Sequence, residues 1–119
     1  MFGFEKLDVY RKSRVLVSEV YKLQKKFPME ERYALADQIR RSITSVTANI
    51  AEGSGRESYK EKIRFIEISF GSLMEAFSQL QIAQDLGYID ENDVESLRPM
   101  FDEIGKMLSG MKKVFSQKL

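Results

Sequence analysis

The chain has 119 residues, 43% hydrophobic and 31% charged, with a formal net charge of +1. That is enough for one domain with one core, residues 1–119, and an ordinary balance for a globular protein. It has no Cys and no His, which excludes disulfides, thiolate and imidazole metal sites, Cys nucleophiles and the commonest general base.

No apolar run approaches the roughly 20 residues needed to span a bilayer. The opening MFGFEKLDVYRKS lacks the basic-then-apolar pattern of a signal peptide. With no cysteine, these features lead us to expect a cytoplasmic protein. Charge is unevenly placed. Residues 1–64 hold 14 Lys+Arg against 9 Asp+Glu, residues 65–103 hold one Arg and nine acids, and residues 104–119 hold four Lys and no acid. A near-neutral sum therefore leaves room for basic and acidic zones.

A short arm with Phe2 and Phe4 opens the chain. Asp8 is the expected N-cap of a first helix over about 8–27. Val9, Ser13, Leu16, Val20, Leu23 and Phe27 fall at alternating steps of four and three, and Tyr10, Val17 and Tyr21 widen that face. Lys22, Lys25 and Lys26 suit the C-terminal end of its dipole, and Pro28 stops it.

A second helix is expected from near Glu30, over about 31–53. Its stripe is Leu35, Ile39, Ile43, Val46 and Ile50. At 100° per residue, Gln38, Ser45, Asn49 and Arg56 lie together just off that stripe, with Arg41 and Glu52 slightly further round. Arg40 falls on the opposite flank with Thr44 and Thr47, so the two arginines serve different surfaces. Gly53-Ser54-Gly55 reads as a left-handed helix stop. It is not a phosphate loop, because no strand precedes it and no Gly-Lys-Ser/Thr follows.

Ser58 with Glu61 reads as the capping box of a third helix, over about 58–86. One of its faces is Ile63, Ile66, Phe70, Leu73, Phe77 and Leu80. Another is Phe65, Ile68, Ile82 and Leu86, with the small residues Ser69, Ser72, Ala76 and Ala83 between the two. A helix apolar on more than one side is buried on more than one side, which a domain this small cannot supply alone. A subunit interface is the expectation. Leu86-Gly87-Tyr88 reads as a glycine cap, and Asp90 or Asn92 as the N-cap of a fourth helix, over about 93–116. Its seam is Val94, Leu97, Phe101, Ile104, Leu108, Met111 and Phe115, with Pro99 expected to bend or break its first turns. Four helices with short connections give an all-α, antiparallel up-down-up-down four-helix bundle.

The order and spacing of several short motifs resemble one known family. They are Leu7-Asp8-Val9-Tyr10, Phe27-Pro28, Tyr33, Gln38-Ile39-Arg40-Arg41-Ser42, Asn49-Ile50-Ala51-Glu52-Gly53-Ser54-Gly55-Arg56, Phe65, Ile68, Gly71-Ser72-Leu73, Glu75 and Leu86-Gly87-Tyr88. The chain resembles the bacterial four-helix bundle family of the 23S rRNA intervening-sequence protein, to which the accessory variability determinant of diversity-generating retroelements is related. Thr47 stands where that family often has Pro, and Tyr10 where it often has Trp. The resemblance implies a ring-like homopentamer, nucleic-acid binding through basic surface and, through the retroelement relative, a reverse transcriptase as partner.

Together these readings lead us to expect a noncatalytic homo-oligomeric bundle that assembles with itself and contacts RNA or DNA. The alternative is a purely structural or protein-interaction scaffold. No enzyme is expected, since no nucleophile–base pair or metal-ligand cluster is visible. No cofactor is expected either, and Glu67 and Glu75 lack the histidines of a carboxylate di-metal bundle. Arg11, Lys12, Arg40 and Arg41 are the nucleic-acid candidates; salt bridges are the competing role for the arginine pair. Gln38, Ser45, Asn49, Glu52 and Arg56 are the candidate polar network of assembly, with Glu52 and Arg56 spaced for an i, i+4 pair.

Overall fold

The computed structural model describes Met1–Leu119. Four α-helices, α1 (Asp8–Leu23), α2 (Leu35–Ser54), α3 (Tyr59–Asp85) and α4 (Glu91–Ser116), form a rod of 46 × 22 × 22 Å. Each helix packs on its two neighbours, α1 on α2 and α4, and α3 on α2 and α4, so the bundle is an antiparallel square. The heptad-like stripes point inward. Val9, Leu16 and Val20 of α1, Ile39, Ile43, Val46 and Ile50 of α2, and Val94, Leu97, Phe101, Ile104 and Leu108 of α4 are all buried.

On α3 the buried stripe shares only Ile66, Leu73 and Leu80 with the one expected. Ile66, Ser69, Leu73, Ala76, Leu80 and Ala83 point to the axis, while Phe70 and Phe77 are only partly covered. Both lines recur at steps of three and four, so periodicity cannot choose between them. Size decides, because small side chains let α3 lie close to α2 and the phenylalanines then fit only at the flank facing α4.

Several helix ends differ from expectation. Asp8 is the first residue of α1 rather than its cap; Leu7 holds the cap position with no side-chain bond. After Leu23 the chain tightens into a 3₁₀ turn, Gln24–Lys26, and a second one, Met29–Glu31, precedes α2. The α-helix proper therefore starts at Leu35, whose N–H donates to the Glu31 carboxylate (3.0 Å). The acid-rich turn supplies the missing acceptor from outside the helix. Pro99 neither breaks nor splits α4, which is continuous through it. At Ser58 only half of the expected box forms: its Oγ accepts the Glu61 N–H at 3.1 Å. The full reciprocal box is at Asp90 and Asp93, each carboxylate taking the other's backbone N–H (2.8 and 3.0 Å).

The two glycine stops are physically different. Gly87 is the chain's single left-handed residue, φ 80°, and there the Tyr88 and Gly87 N–H groups donate to the Ala83 and Gln84 carbonyls. That is a Schellman closure, as expected. Gly53 and Gly55 are not left-handed; α2 runs through Gly53 and ends right-handed at Gly55. Gly53 is glycine because a Cβ there would sit 2.8 Å from the Cβ of Phe65 on α3.

Candidate nucleic-acid and assembly surfaces

The four basic candidates divide into separate places. Arg40 is built into the chain reversal between α1 and α2. Its Nη1 donates to the Gln24 side-chain oxygen (3.1 Å), its Nη2 to the Arg32 carbonyl (2.6 Å), and Gln24 in turn donates to the Ala36 carbonyl (2.9 Å). A planar fork of donors suits this bridging, and it leaves little of the guanidinium for a ligand. Arg41 points outward, its side chain 80% exposed, and donates to Asp37 at 2.9 Å. Lys12 spans to Glu103 of α4 at 2.8 Å; that hydrogen bond, before the attraction of the charge itself, raises the Lys12 pKa. Arg11 is exposed and donates its Nε to the Glu5 carbonyl (3.0 Å). Arg11 and Gln24 are thirteen residues apart on one helical run, about 20 Å, so Arg11 and Arg40 lie toward opposite ends of the bundle.

The polar line on α2 is distributed along its contact with α3. Ser45 and Ser72 share a hydrogen bond of 2.8 Å, and the Asn49 amide donates to the Ser45 carbonyl and hydroxyl (2.8 and 2.9 Å). Ser42 donates to Gln79 (2.7 Å), Gln79 donates to Glu75 (3.2 Å), and buried Ser69 donates across to the Val46 carbonyl (2.8 Å). Glu52 and Arg56 form the i, i+4 pair at 2.8 Å, and the Arg56 guanidinium lies 4.7 Å from the Phe65 ring centroid. Gln38 is exposed at the outer edge. Ser42, Ser69, Ser72 and Gln79 were not among the candidates. The 3–4 spacing of the polar residues Ser69, Ser72 and Gln79 on α3 was the signal that could have found three of them.

On the other flank of α3, an open groove of about 460 Å³ runs between α3 and α4, floored by Phe70, Phe77, Phe101 and Gly105. Phe77 and Phe101 meet edge to face at 5.0 Å, and Arg98 covers Phe77 at 4.8 Å while also forking onto Glu95. That fork, by its hydrogen bonds first, holds Glu95 below and Arg98 above their ordinary pKa values. No three acidic side chains converge as a metal-binding group, and no helix is long and apolar enough to cross a membrane.

The outer side of α3 carries exposed apolar side chains. Ile68, Ile82 and Leu86 are 40%, 45% and 55% exposed, and Met74 on the α4 flank is 44% exposed.

The fold and sequence are shared with known proteins. The chain is similar to a crystal structure of a protein of unknown function from the S23 ribosomal protein family of Bacteroides thetaiotaomicron VPI-5482. The identity is 28% and the TM-score 0.80, over 88% of this chain and 95% of that one. No curated protein matches. The profile of the 23S rRNA-intervening sequence protein family matches residues 5–110, nearly the whole bundle, and the chain belongs to that family.

Proposed function

We propose that the protein is a noncatalytic assembly module that associates with copies of itself along the outer side of α3 and serves as an accessory to nucleic acid in the cytoplasm. The observation that carries this reading is the exposed row of Ile68 and Ile82 on the longest helix and Leu86 at its C-cap, in a bundle whose own core is already filled. Large apolar side chains left in water on one helix face favour burial by a partner at about 25 cal/mol per Å². Glu75 stands midway between Ile68 and Ile82, and Arg41 and Gln38 stand on α2, so a neighbouring copy meets polar groups that fix register beside apolar ones that supply attraction. The family resemblance supports a ring of five.

Light scattering on the purified protein tests this. The expected result is a mass of several times 13.8 kDa, five times for the ring, and collapse to a monomer in Ile68→Glu/Ile82→Glu with helical circular dichroism retained. A wild-type monomer at tens of micromolar sinks the assembly reading. A scaffold without nucleic acid is the second reading. It is favoured by the engagement of Lys12, Arg40 and Arg41 within the chain, and an oligomer with no affinity for RNA or DNA at low salt would establish it.

A further inference from the structure

We propose that the solvent face of α1 is a docking stripe for the phosphate backbone of a nucleic-acid duplex; this deepens, and rests on, the nucleic-acid part of the function proposed above. Arg11, Arg14, Ser18 and Lys22 of α1, with Lys25 in the 3₁₀ turn that continues it, recur at steps of three, four, four and three, and all are exposed. They occupy the side opposite buried Val9, Ser13, Leu16 and Val20. The stripe contains no carboxylate. Arg11, Arg14 and Lys25 take part in none of the chain's ten ion pairs, and Lys22 has only a long contact to Glu19 (3.4 Å). Arg11 keeps its two terminal nitrogens free while its Nε holds the Glu5 carbonyl, and Arg14 is steadied over the Tyr10 ring (5.9 Å). No other helix face lines up four cations without an acid among them. The net charge of +1 hides this, because the compensating acids lie on α3 and α4.

Charge complementarity selects a polyanion, and the rest of the face selects which one. A membrane-surface helix buries an apolar face in the bilayer, but the apolar face of α1 is committed to the core, leaving only Val15 and Tyr21 exposed beside the stripe. A single strand is held by stacking successive bases on several aromatic side chains, and the stripe offers one exposed ring, Tyr21, at its edge. A duplex hides its bases and presents one phosphate per strand for every 3.4 Å or so of helix axis, and the stripe from Arg11 to Lys25 is about 21 Å long. Contacts of this kind read charge and not sequence.

The test is fluorescence anisotropy with two 20-base-pair DNA duplexes of unrelated sequence, titrated between 50 and 200 mM salt. The wild type is expected to bind both alike, and log K against log salt should fall with a slope of about −3 to −4 per bound protomer. Arg14→Gln/Lys25→Gln should weaken binding at least tenfold and flatten the slope by about 2. Lys106→Gln/Lys112→Gln removes the same charge from α4 and should leave the slope unchanged. Wild-type binding that the two pairs of substitutions weaken equally overturns the stripe while leaving the nucleic-acid reading standing. No wild-type binding at 50 mM salt overturns both. Tighter binding to phosphatidylserine vesicles than to duplex assigns the stripe to a membrane and also overturns it.

Discussion

The two seams of α3 are built from the same helix by opposite means. Toward α2, the contact is made of Ser42, Ser45, Ser69, Ser72 and Gly53, the backbones come close, and each buried hydroxyl is spent on a hydrogen bond. Toward α4, Phe70, Phe77 and Phe101 hold the helices apart and an open groove remains. Small polar residues give a tight seam that admits no extra atom. Aromatic ones give a loose seam with room to spare. The lesson is that hydrophobic bulk does not measure how closely two helices are joined.

The largest expected effect comes from adding one methyl group to the tight seam. Gly53→Ala puts a Cβ 2.8 Å from that of Phe65, a backbone-anchored atom, and should cost about 1–3 kcal/mol in urea denaturation. A neutral Gly53→Ala would show that the seam is not tight. Next, Ser69→Ala removes the bond to the Val46 carbonyl and should cost about 1 kcal/mol by the same measurement. The loose seam supplies the contrast. A Cβ on Gly105 would meet Phe70 and Leu73 at ordinary distances of 3.6 and 3.7 Å, so Gly105→Ala should stabilise α4 by about 0.5–1 kcal/mol through helix propensity. Destabilisation there would mean that the aromatic seam is as full as the other.

The smallest effect concerns a third seam, α1 and the 3₁₀ turn after it against α4, which is closed by the surface pair Lys12–Glu103 and by Lys26 on the half-buried Asp93. Hydrogen bonds to these acids raise both lysines. Their stabilisation is complete below the ordinary lysine value, about 10.4, and fades as pH climbs through the raised value. The bond from Lys26, then the backbone N–H of Asp90, lowers Asp93. Its contribution is present above about pH 3.9 and fades as pH falls through the lowered value. Melting temperature against pH should therefore be flat at neutrality and fall at both extremes. Lys12→Met/Lys26→Met should fall less on the alkaline side, and an alkaline limb identical to wild type would count against these pairs.

The helices were legible because three of the four carry a single apolar stripe, and Val94 to Leu108 on α4 is buried residue by residue as its spacing implies. α3 was harder, since its two flanks are both apolar and only the fit against α2 selects the small-residue line. Gly53 was misread for a related reason: glycine in a Gly-Ser-Gly run suggests a turn, and nothing in the sequence reveals a Phe65 Cβ across the seam. Among the candidate site residues, Glu52 and Arg56 were local and therefore readable. Arg40 was not, because its partners, Gln24 and the Arg32 carbonyl, become neighbours only when the chain reverses. The α1 stripe was missed, because Arg11 was read with Lys12, and Lys22 and Lys25 were read with the helix dipole; that its cations lack acids depends on where α3 and α4 place theirs.

The bridging role of Arg40 has a consequence for the segment it braces. Between Gln24 and Leu35 the chain bears Met29 and Tyr33, 81% and 84% exposed, the most prominent apolar side chains outside the two termini. Arg40, Gln24 and Glu31 fasten the backbone on either side of them. The backbone beside them is thus fastened by folding itself, and anything that lands on Met29 and Tyr33 meets a segment that has already surrendered part of its backbone entropy.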